Sequence, residues 1–156
     1  YNSQRVGAAT VALGMGEGAY ELALDWSEKP HQFGRPINEF QGLQWKLADM
    51  SIKLRAAQAL VYDAARSGEG GFPDMLLAAQ AKVFTSENAI QIVNDALQFF
   101  GARGYSRELP LERMARDVRM FTIGGGTAEV LRNFVAGALL KKKLPQTRDG
   151  WLGKAD

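Results

Sequence analysis

Hydrophobic residues recur at alternating steps of three and four along much of this chain, and this spacing constrains the fold more than any other feature. One set is Phe40, Leu43, Leu47, Met50, Leu54, Ala57, Val61 and Ala64, and a second is Ala79, Val83, Ser86, Ile90, Val93, Leu97 and Phe100. Steps that average 3.5 residues place each set on one face of a helix. The pattern predicts two long helices of about 25 residues, each roughly 37 Å long.

Shorter hydrophobic sets predict two further helices, one near each end of the chain. They are Val11, Met15, Gly18, Leu22 and Trp26, and Leu131, Phe134, Val135, Ala138 and Leu139. Breakers separate the four helices at residues 29–36, 67–73, 101–110 and 124–126, and residues 111–120 form a short amphipathic segment. No segment is typical of a strand. We predict an all-α antiparallel four-helix bundle over residues 1–144, followed by a C-terminal tail at 145–156.

Charge and residue usage exclude several classes of function. The 156 residues include 19 basic and 17 acidic side chains, a net charge of +2 that does not favour nucleic-acid binding. With no cysteine and one histidine, disulfides, thiolate metal sites and multi-histidine centres are not expected. No apolar run approaches the roughly 20 residues of a membrane span, and the polar start is unlike a signal peptide. We therefore expect a cytoplasmic protein without a metal, a membrane or a nucleic-acid partner.

Several small and aromatic residues have structural interpretations. The first helix is rich in glycine and alanine, which predicts close packing against another helix: Gly7, Ala8, Ala9, Gly14, Gly16 and Gly18. Trp45, Phe99 and Phe100 are expected in the core, and Asp74 is expected to cap the third helix. Residues 124–126 open directly onto the last helix. They form either a plain turn with Thr127 as the N-cap or a helix N-terminus that binds an anion or polar ligand.

Four ordered segments are similar to motifs of the C-terminal helical domain of the acyl-CoA dehydrogenase superfamily. They are residues 32–37 (QFGRPI) with 40–41 (FQ), 97–105 (LQFFGARGY), 110–113 (PLER) with 116–117 (RD), and 123–127 (IGGGT). The resemblance implies an FAD flavoprotein of fatty acid metabolism that acts on acyl-CoA thioesters as a homotetramer or dimer. It also implies a longer protein with an N-terminal helical domain and a middle β-domain, so that this chain alone is an incomplete, inactive fragment.

The resemblance implies roles for individual residues. Phe33, Gln41 and Gln44 match positions at the FAD adenine end across a subunit boundary, and Gln98, Gly101 and Ala102 match positions near the pyrophosphate. Thr127 and Glu129 match flavin-contacting positions, whereas Asn2 and Arg5 match positions near the CoA moiety. No residue is implied to bind a metal.

Two departures concern the catalytic base of the family. Members that place a glutamate two residues before the threonine of the last turn have it at the position of Gly125 here. Others place it immediately before the arginine matched by Arg5, and this chain has Gln4 there. An amide does not accept a proton at neutral pH, so neither position supplies a general base.

Three functions remain open from the sequence. The first is α,β-dehydrogenation of an acyl-CoA, with an electron-transfer flavoprotein as partner. The second is non-oxidative chemistry such as 3-sulfinopropionyl-CoA desulfination, because a related branch of the family also has glutamine at the base position. The third is a non-catalytic helical assembly module.

Overall fold

The computed structural model describes residues 1–144 and is built almost entirely of helices. The long helices are α1 (Asn2–Ser27), α2 (Gln41–Arg66), α3 (Met75–Phe100) and α6 (Ala128–Leu140), with shorter helices α4 (Ala102–Tyr105) and α5 (Leu111–Arg119) between the last two. Single 3₁₀ turns cover Ile37–Glu39 and Met120–Thr122. The predicted all-α four-helix architecture is confirmed, and the predicted tail at 145–156 lies outside the described residues.

Polar and aromatic contacts fix the directions of the four long helices. Asn2 donates to the carbonyl of Pro73 at 3.1 Å, and Trp26 stacks on Phe100 with ring centroids 4.6 Å apart, so α1 and α3 run parallel. Lys53 near the middle of α2 donates to Gln91 of α3 at 2.8 Å, and α2 is antiparallel to both. The helix α6 returns along the first half of α3. This order is the up-down-up-down arrangement of a four-helix bundle.

The face that the sequence predicts for α1 is only partly correct. Met15, Leu22 and Trp26 pack half-buried against the core, but Val11 is 53% exposed. The fully buried stripe is made of alanines and one glycine: Ala9, Ala12, Gly16, Ala19 and Ala23. A Cβ at Gly16 would lie 3.3 Å from Leu54 Cδ2 and 3.8 Å from Ala89, so α1 approaches both α2 and α3 closely there. Small side chains permit this approach, and the larger Val11 is turned away from it.

The expected close packing of the α1 glycines is correct for only part of the set. A Cβ at Gly18 would contact Met114 at 3.8 Å, and Gly16 packs as described above. No atom of the described residues lies within 4 Å of a Cβ built at Gly7 or Gly14. The prediction is wrong at those two positions because they lie on the outer face of the helix.

Aromatic residues divide between the core and the surface. Phe99 and Phe100 are buried as predicted, but Trp45 is 62% exposed because it lies on the outer face of α2. On α6, Leu131 is fully buried, whereas Val135 and Leu139 line an open apolar groove of about 530 Å³ against α3. The predicted stripe of α6 is thus only partly covered by residues 1–144.

Both predicted N-caps are confirmed. The Asp74 carboxylate accepts hydrogen bonds from the backbone N–H groups of Leu76 and Leu77, each at 2.9 Å, and the Thr127 hydroxyl accepts from Val130 N at 3.2 Å. Each cap satisfies donors that a helix start leaves without an intrahelical partner. The caps therefore fix where α3 and α6 begin.

The segment between α1 and α2 contains a small hairpin where the sequence predicts only a break. Two-residue strands β1 (His31–Gln32) and β2 (Arg35–Pro36) pair antiparallel, and the turn residues Phe33 and Gly34 have φ of 53° and 81°. Positive φ at both central positions is typical of a tight two-residue hairpin turn. The hairpin displays Phe33, which is 94% exposed, at its tip.

Across residues 1–144, the structure has no helix long and apolar enough to span a bilayer.

Candidate functional site

A glycine turn, defined as Gly124–Gly126, connects the 3₁₀ turn to the start of α6. Its upstream side is held by Met120, whose carbonyl accepts from Ile123 N at 3.0 Å and Gly124 N at 2.8 Å. Gly125 and Gly126 have φ of 72° and 102°, a backbone region that favours glycine. A Cβ built at Gly125 would meet no atom within 4 Å, so the turn is open at that position.

The downstream side of the glycine turn is held by Lys82 of α3. This lysine is completely buried, and its Nζ donates to the carbonyl oxygen of Gly126 at 2.6 Å. Burial lowers the pKa of Lys82 from its ordinary value of 10.5, the nearby Arg5 lowers it further, and Glu129 opposes both effects. The positive charge of Lys82 is thus placed directly against the turn.

The start of α1 reaches the same region. The Arg5 guanidinium lies over the Phe134 ring of α6 at 5.7 Å, and its Nε is buried without a hydrogen-bond partner among the described residues. Asn2 is occupied with the backbone of Pro73, and Gln4 is exposed to solvent. Lys82 thus contacts Gly126, next to one base position, and is close enough to Arg5, next to the other, for the two positive charges to interact.

A cavity of about 380 Å³ lies between α3 and the start of α6. Thr127 and Glu129 line it together with Glu87 and Arg119. The Glu87 carboxylate accepts two hydrogen bonds of 2.6 Å from Arg132, and this contact lowers the pKa of Glu87. A carboxylate held in this way is a weaker base, so Glu87 does not replace the missing glutamate.

The remaining predicted residues gather at the other end of α3. We call them the adenine-end group: Phe33, Gln41, Gln44, Gln98, Gly101 and Ala102, all exposed. The group is built on the hairpin, the start of α2 and the end of α3. Phe33 packs edge-on against Phe40 at 6.2 Å, Arg35 lies over Phe40 at 4.2 Å, and Lys46 pairs with Asp95 across α2 and α3.

The adenine-end group has the chemistry that an FAD nucleotide requires. Gly101 has a φ of 55° and no side chain, Ala102 has a small one, and Arg103 places a guanidinium over Trp26 at 5.3 Å. Exposed backbone, amide side chains and a cation suit a diphosphate and a base edge. The residues present therefore fit the group.

The structure brings the predicted site residues together in two places, not one. Thr127 and Glu129 follow the glycine turn directly, and Arg5 lies against α6 with Asn2 one turn before it. The adenine-end group lies about 16 residues beyond Lys82 along α3. At 1.5 Å per residue this separation is roughly 24 Å. The sequence-based assignment of the adenine contacts to a different subunit from the flavin contacts is compatible with this distance.

Lys82 is the residue that sequence reasoning missed. Its position on α3 continues a buried series with Ala78, Ser86 and Ala89 at helical spacing. The signal in the sequence was therefore a charged residue within a face of small, buried residues.

Among residues 1–144 no cluster of three or more histidine, cysteine, aspartate or glutamate side chains is arranged to hold a metal ion.

Comparisons with known proteins agree with the fold and with these motifs. The family model for the acyl-CoA dehydrogenase C-terminal domain matches residues 1–140. The chain is 64% identical to a 3-sulfinopropanoyl-CoA desulfinase of Paraburkholderia xenovorans over 148 residues, which are 95% of this chain and 38% of that protein. It is 39% identical to a short-chain-specific acyl-CoA dehydrogenase of Clostridium acetobutylicum over 137 residues, 88% of this chain and 36% of that protein.

A solved structure gives the same result. The butyryl-CoA dehydrogenase of Megasphaera elsdenii superposes with a TM-score of 0.86 at 41% identity, covering 89% of this chain and 36% of that one. The chain belongs to the acyl-CoA dehydrogenase family, of which it is a C-terminal domain. It spans less than two fifths of the length of these relatives.

Proposed function

We propose that the protein containing this chain is an acyl-CoA desulfinase that releases sulfite from a 3-sulfinated acyl-CoA. The carrying observation is that the two base positions, Gln4 and Gly125, bear no carboxylate although the C-terminal helical domain around them keeps the family fold. The 64% identity to a 3-sulfinopropanoyl-CoA desulfinase supports the same choice over the 39% identity to a dehydrogenase.

The balance of the reaction explains why no base of the dehydrogenase type is needed. The bond between the β-carbon and sulfur breaks with its electron pair left on carbon, and that carbon takes up a proton. Sulfur leaves as sulfur dioxide, which adds water to give hydrogensulfite. The sulfur atom is oxidised and the β-carbon is reduced by the same two electrons. The reaction as a whole is therefore not an oxidation, and no electrons leave the protein.

The residues around the glycine turn have defined parts in this proposal. Gln4 donates an amide hydrogen bond to the thioester or the sulfinate, and Arg5 with its partner-free Nε provides a positive charge for the anionic substrate. Thr127 and Glu129 would contact the flavin at the start of α6, and FAD, when bound, would supply a redox-active ring. Phe33, Gln41 and Gln44 would hold its adenine end across a subunit boundary of a homotetramer or dimer. Gln98, Gly101 and Ala102 would lie near its pyrophosphate.

Dehydrogenation is the second candidate, and it is favoured by the similarity to a butyryl-CoA dehydrogenase. It requires a base from a part of the protein outside this chain and an electron acceptor such as an electron-transfer flavoprotein. A non-catalytic assembly module would keep the bundle without flavin or substrate.

The test uses the full-length protein and three measurements. Flavin absorbance of the purified protein, sulfite release from 3-sulfinopropanoyl-CoA, and reduction of an artificial electron acceptor by saturated acyl-CoA distinguish the three candidates. We expect a yellow protein that releases sulfite and does not reduce the acceptor. A colourless protein, or acceptor reduction without sulfite release, would contradict the proposal.

A substitution sharpens the test. Gln4→Glu places a carboxylate at the base position, and we expect sulfite release to fall by roughly 10- to 100-fold because a charge replaces an amide donor beside an anionic substrate. The matched control is Gln58→Glu on α2, where the side chain accepts from Arg55 at 2.9 Å and a carboxylate preserves that contact. Full sulfite release by Gln4→Glu would remove Gln4 from the mechanism.

A further inference from the structure

Lys82 stands out because charged side chains are rarely buried. It is the one charged residue of the described chain that is fully buried, and the other buried residues of α3 between Ala78 and Ala89 are alanine, serine and threonine. Removing an ammonium group from water costs several kcal/mol unless strong partners replace the water. Burial of a lysine here, where methionine would fill the same volume, therefore requires a specific task.

The partner of Lys82 identifies the task. Three consecutive glycines make the turn the most flexible sequence near the site, and each costs conformational entropy to order. Met120 holds the upstream end through the two backbone hydrogen bonds described above, and Lys82 holds Gly126 at the downstream end. Gly125, the open position, lies between these two anchors.

We propose that Lys82 is a positioning residue. Its buried ammonium group clamps the Gly126 carbonyl and so fixes the backbone of the glycine turn in the geometry that the acyl-CoA reaction requires. The role rests on the proposed acyl-CoA function, because it assigns the turn to the reacting end of the substrate. Lys82 itself acts through the turn and not on the reacting atoms.

Charge contributes to the same role. Arg5 from α1 and Glu129 from α6 are the charged groups of the described residues that act on Lys82. Because burial and Arg5 lower the pKa of Lys82, its ammonium group is lost at a lower pH than that of an exposed lysine. An alkaline loss of activity that disappears in Lys82→Met therefore reports the clamp.

The variants to compare are Lys82→Met and Arg55→Met in the full-length protein. Both remove a cation that donates to a neutral oxygen, but Arg55 is exposed on α2 and donates to Gln58 of the same helix. We expect hydrogen exchange at the backbone amides of residues 123–127 to accelerate at least about tenfold in Lys82→Met. In Arg55→Met those amides should exchange as in the wild type.

Activity separates positioning from stability. In Lys82→Met, kcat should fall by roughly 10- to 100-fold with a smaller change in KM, since a loosened turn misplaces the reacting end while the remote parts of the substrate still bind. In Arg55→Met, kcat should stay within about twofold of the wild type. The wild-type kcat should decline with rising pH through the lowered pKa of Lys82, and Lys82→Met should lack that decline.

Each contrary result overturns the proposal. Unchanged exchange in the turn shows that Lys82 does not hold it, and faster exchange with unchanged kcat shows that the clamp does not serve the reaction. If Lys82→Met does not fold, the wild-type pH profile decides, and a flat alkaline profile refutes the role. The hydrogen-exchange measurement requires no substrate, so it tests the clamp independently of the proposed function. A wild type that releases no sulfite refutes the proposed function alone. In that case kcat is followed in the dehydrogenation assay.

Discussion

The glycine turn makes a quantitative prediction about restoring a carboxylate at Gly125. The φ of 72° at this residue is unfavourable for any side chain, at a cost of about 1–2 kcal/mol for an L-residue in the left-handed region. No steric cost adds to it, because a Cβ there meets no atom within 4 Å. We therefore expect both Gly125→Ala and Gly125→Glu to lower the free energy of unfolding by about 1–2 kcal/mol.

Thermal unfolding measures this cost. For a folded unit of this size, 1 kcal/mol corresponds to about 2–4 °C, so each variant should unfold roughly 2–8 °C below the wild type. Gly125→Glu should lose less than Gly125→Ala, because its carboxylate lies next to the residue that Lys82 contacts and is attracted by that cation. The difference between the two variants isolates the charge, since the backbone cost is shared.

The same pair of variants tests the assignment of the base position. Gly125→Glu should gain the ability to reduce an electron acceptor with saturated acyl-CoA in the full-length protein, and Gly125→Ala should not. An alanine variant as stable as the wild type would refute the backbone argument. A glutamate variant without dehydrogenation would refute the equivalence of Gly125 to the base position.

Two further predictions concern stability away from the site. Gly14→Ala should raise the free energy of unfolding by about 0.5–1 kcal/mol, because the position is helical and unobstructed. Gly16→Ala should raise it less, because the added Cβ meets Leu54 at 3.3 Å. Equal gains for the two variants in denaturant unfolding would contradict the close packing of α1. The folded-state pKa of Glu87 is below its ordinary value of 4.5, so its pairing stabilises the protein above pH 4.5, and that stability is lost as the pH falls through the lowered value. Arg132→Met should flatten this acid dependence, and an unchanged acid transition would show that the pair does not contribute.

Local sequence was sufficient for the helices and their ends. Steps of three and four residues depend only on the geometry of a single helix, and Asp74 and Thr127 cap α3 and α6 through bonds to residues two or three positions away. These interactions do not require knowledge of distant contacts. The class of fold, the breaks between helices and the family motifs were accordingly predicted from the chain.

The buried face of each helix was determined by its neighbours. The stripe predicted for α1 was only partly right. Met15, Leu22 and Trp26 pack against the core, whereas Val11 is exposed because close approach to α2 and α3 favours alanine and glycine. Trp45 is apolar and lies outside for the complementary reason, since no helix of the described chain covers that side of α2. A hydrophobic residue indicates where burial would be favourable, and only the packed helices show where it occurs.

The sequence alone determined the four helices, the N-caps of α3 and α6, and the absence of a carboxylate at Gln4 and Gly125, because these follow from residue type and local spacing. Only the tertiary structure placed Lys82 against Gly126, Arg5 beside α6, and the adenine-end group far along α3. Those contacts join residues more than 40 positions apart in the sequence. The sequence did not predict them, because which side chains meet across packed helices depends on how the helices are rotated relative to one another. Local periodicity does not encode that rotation when the packed faces are built from small residues.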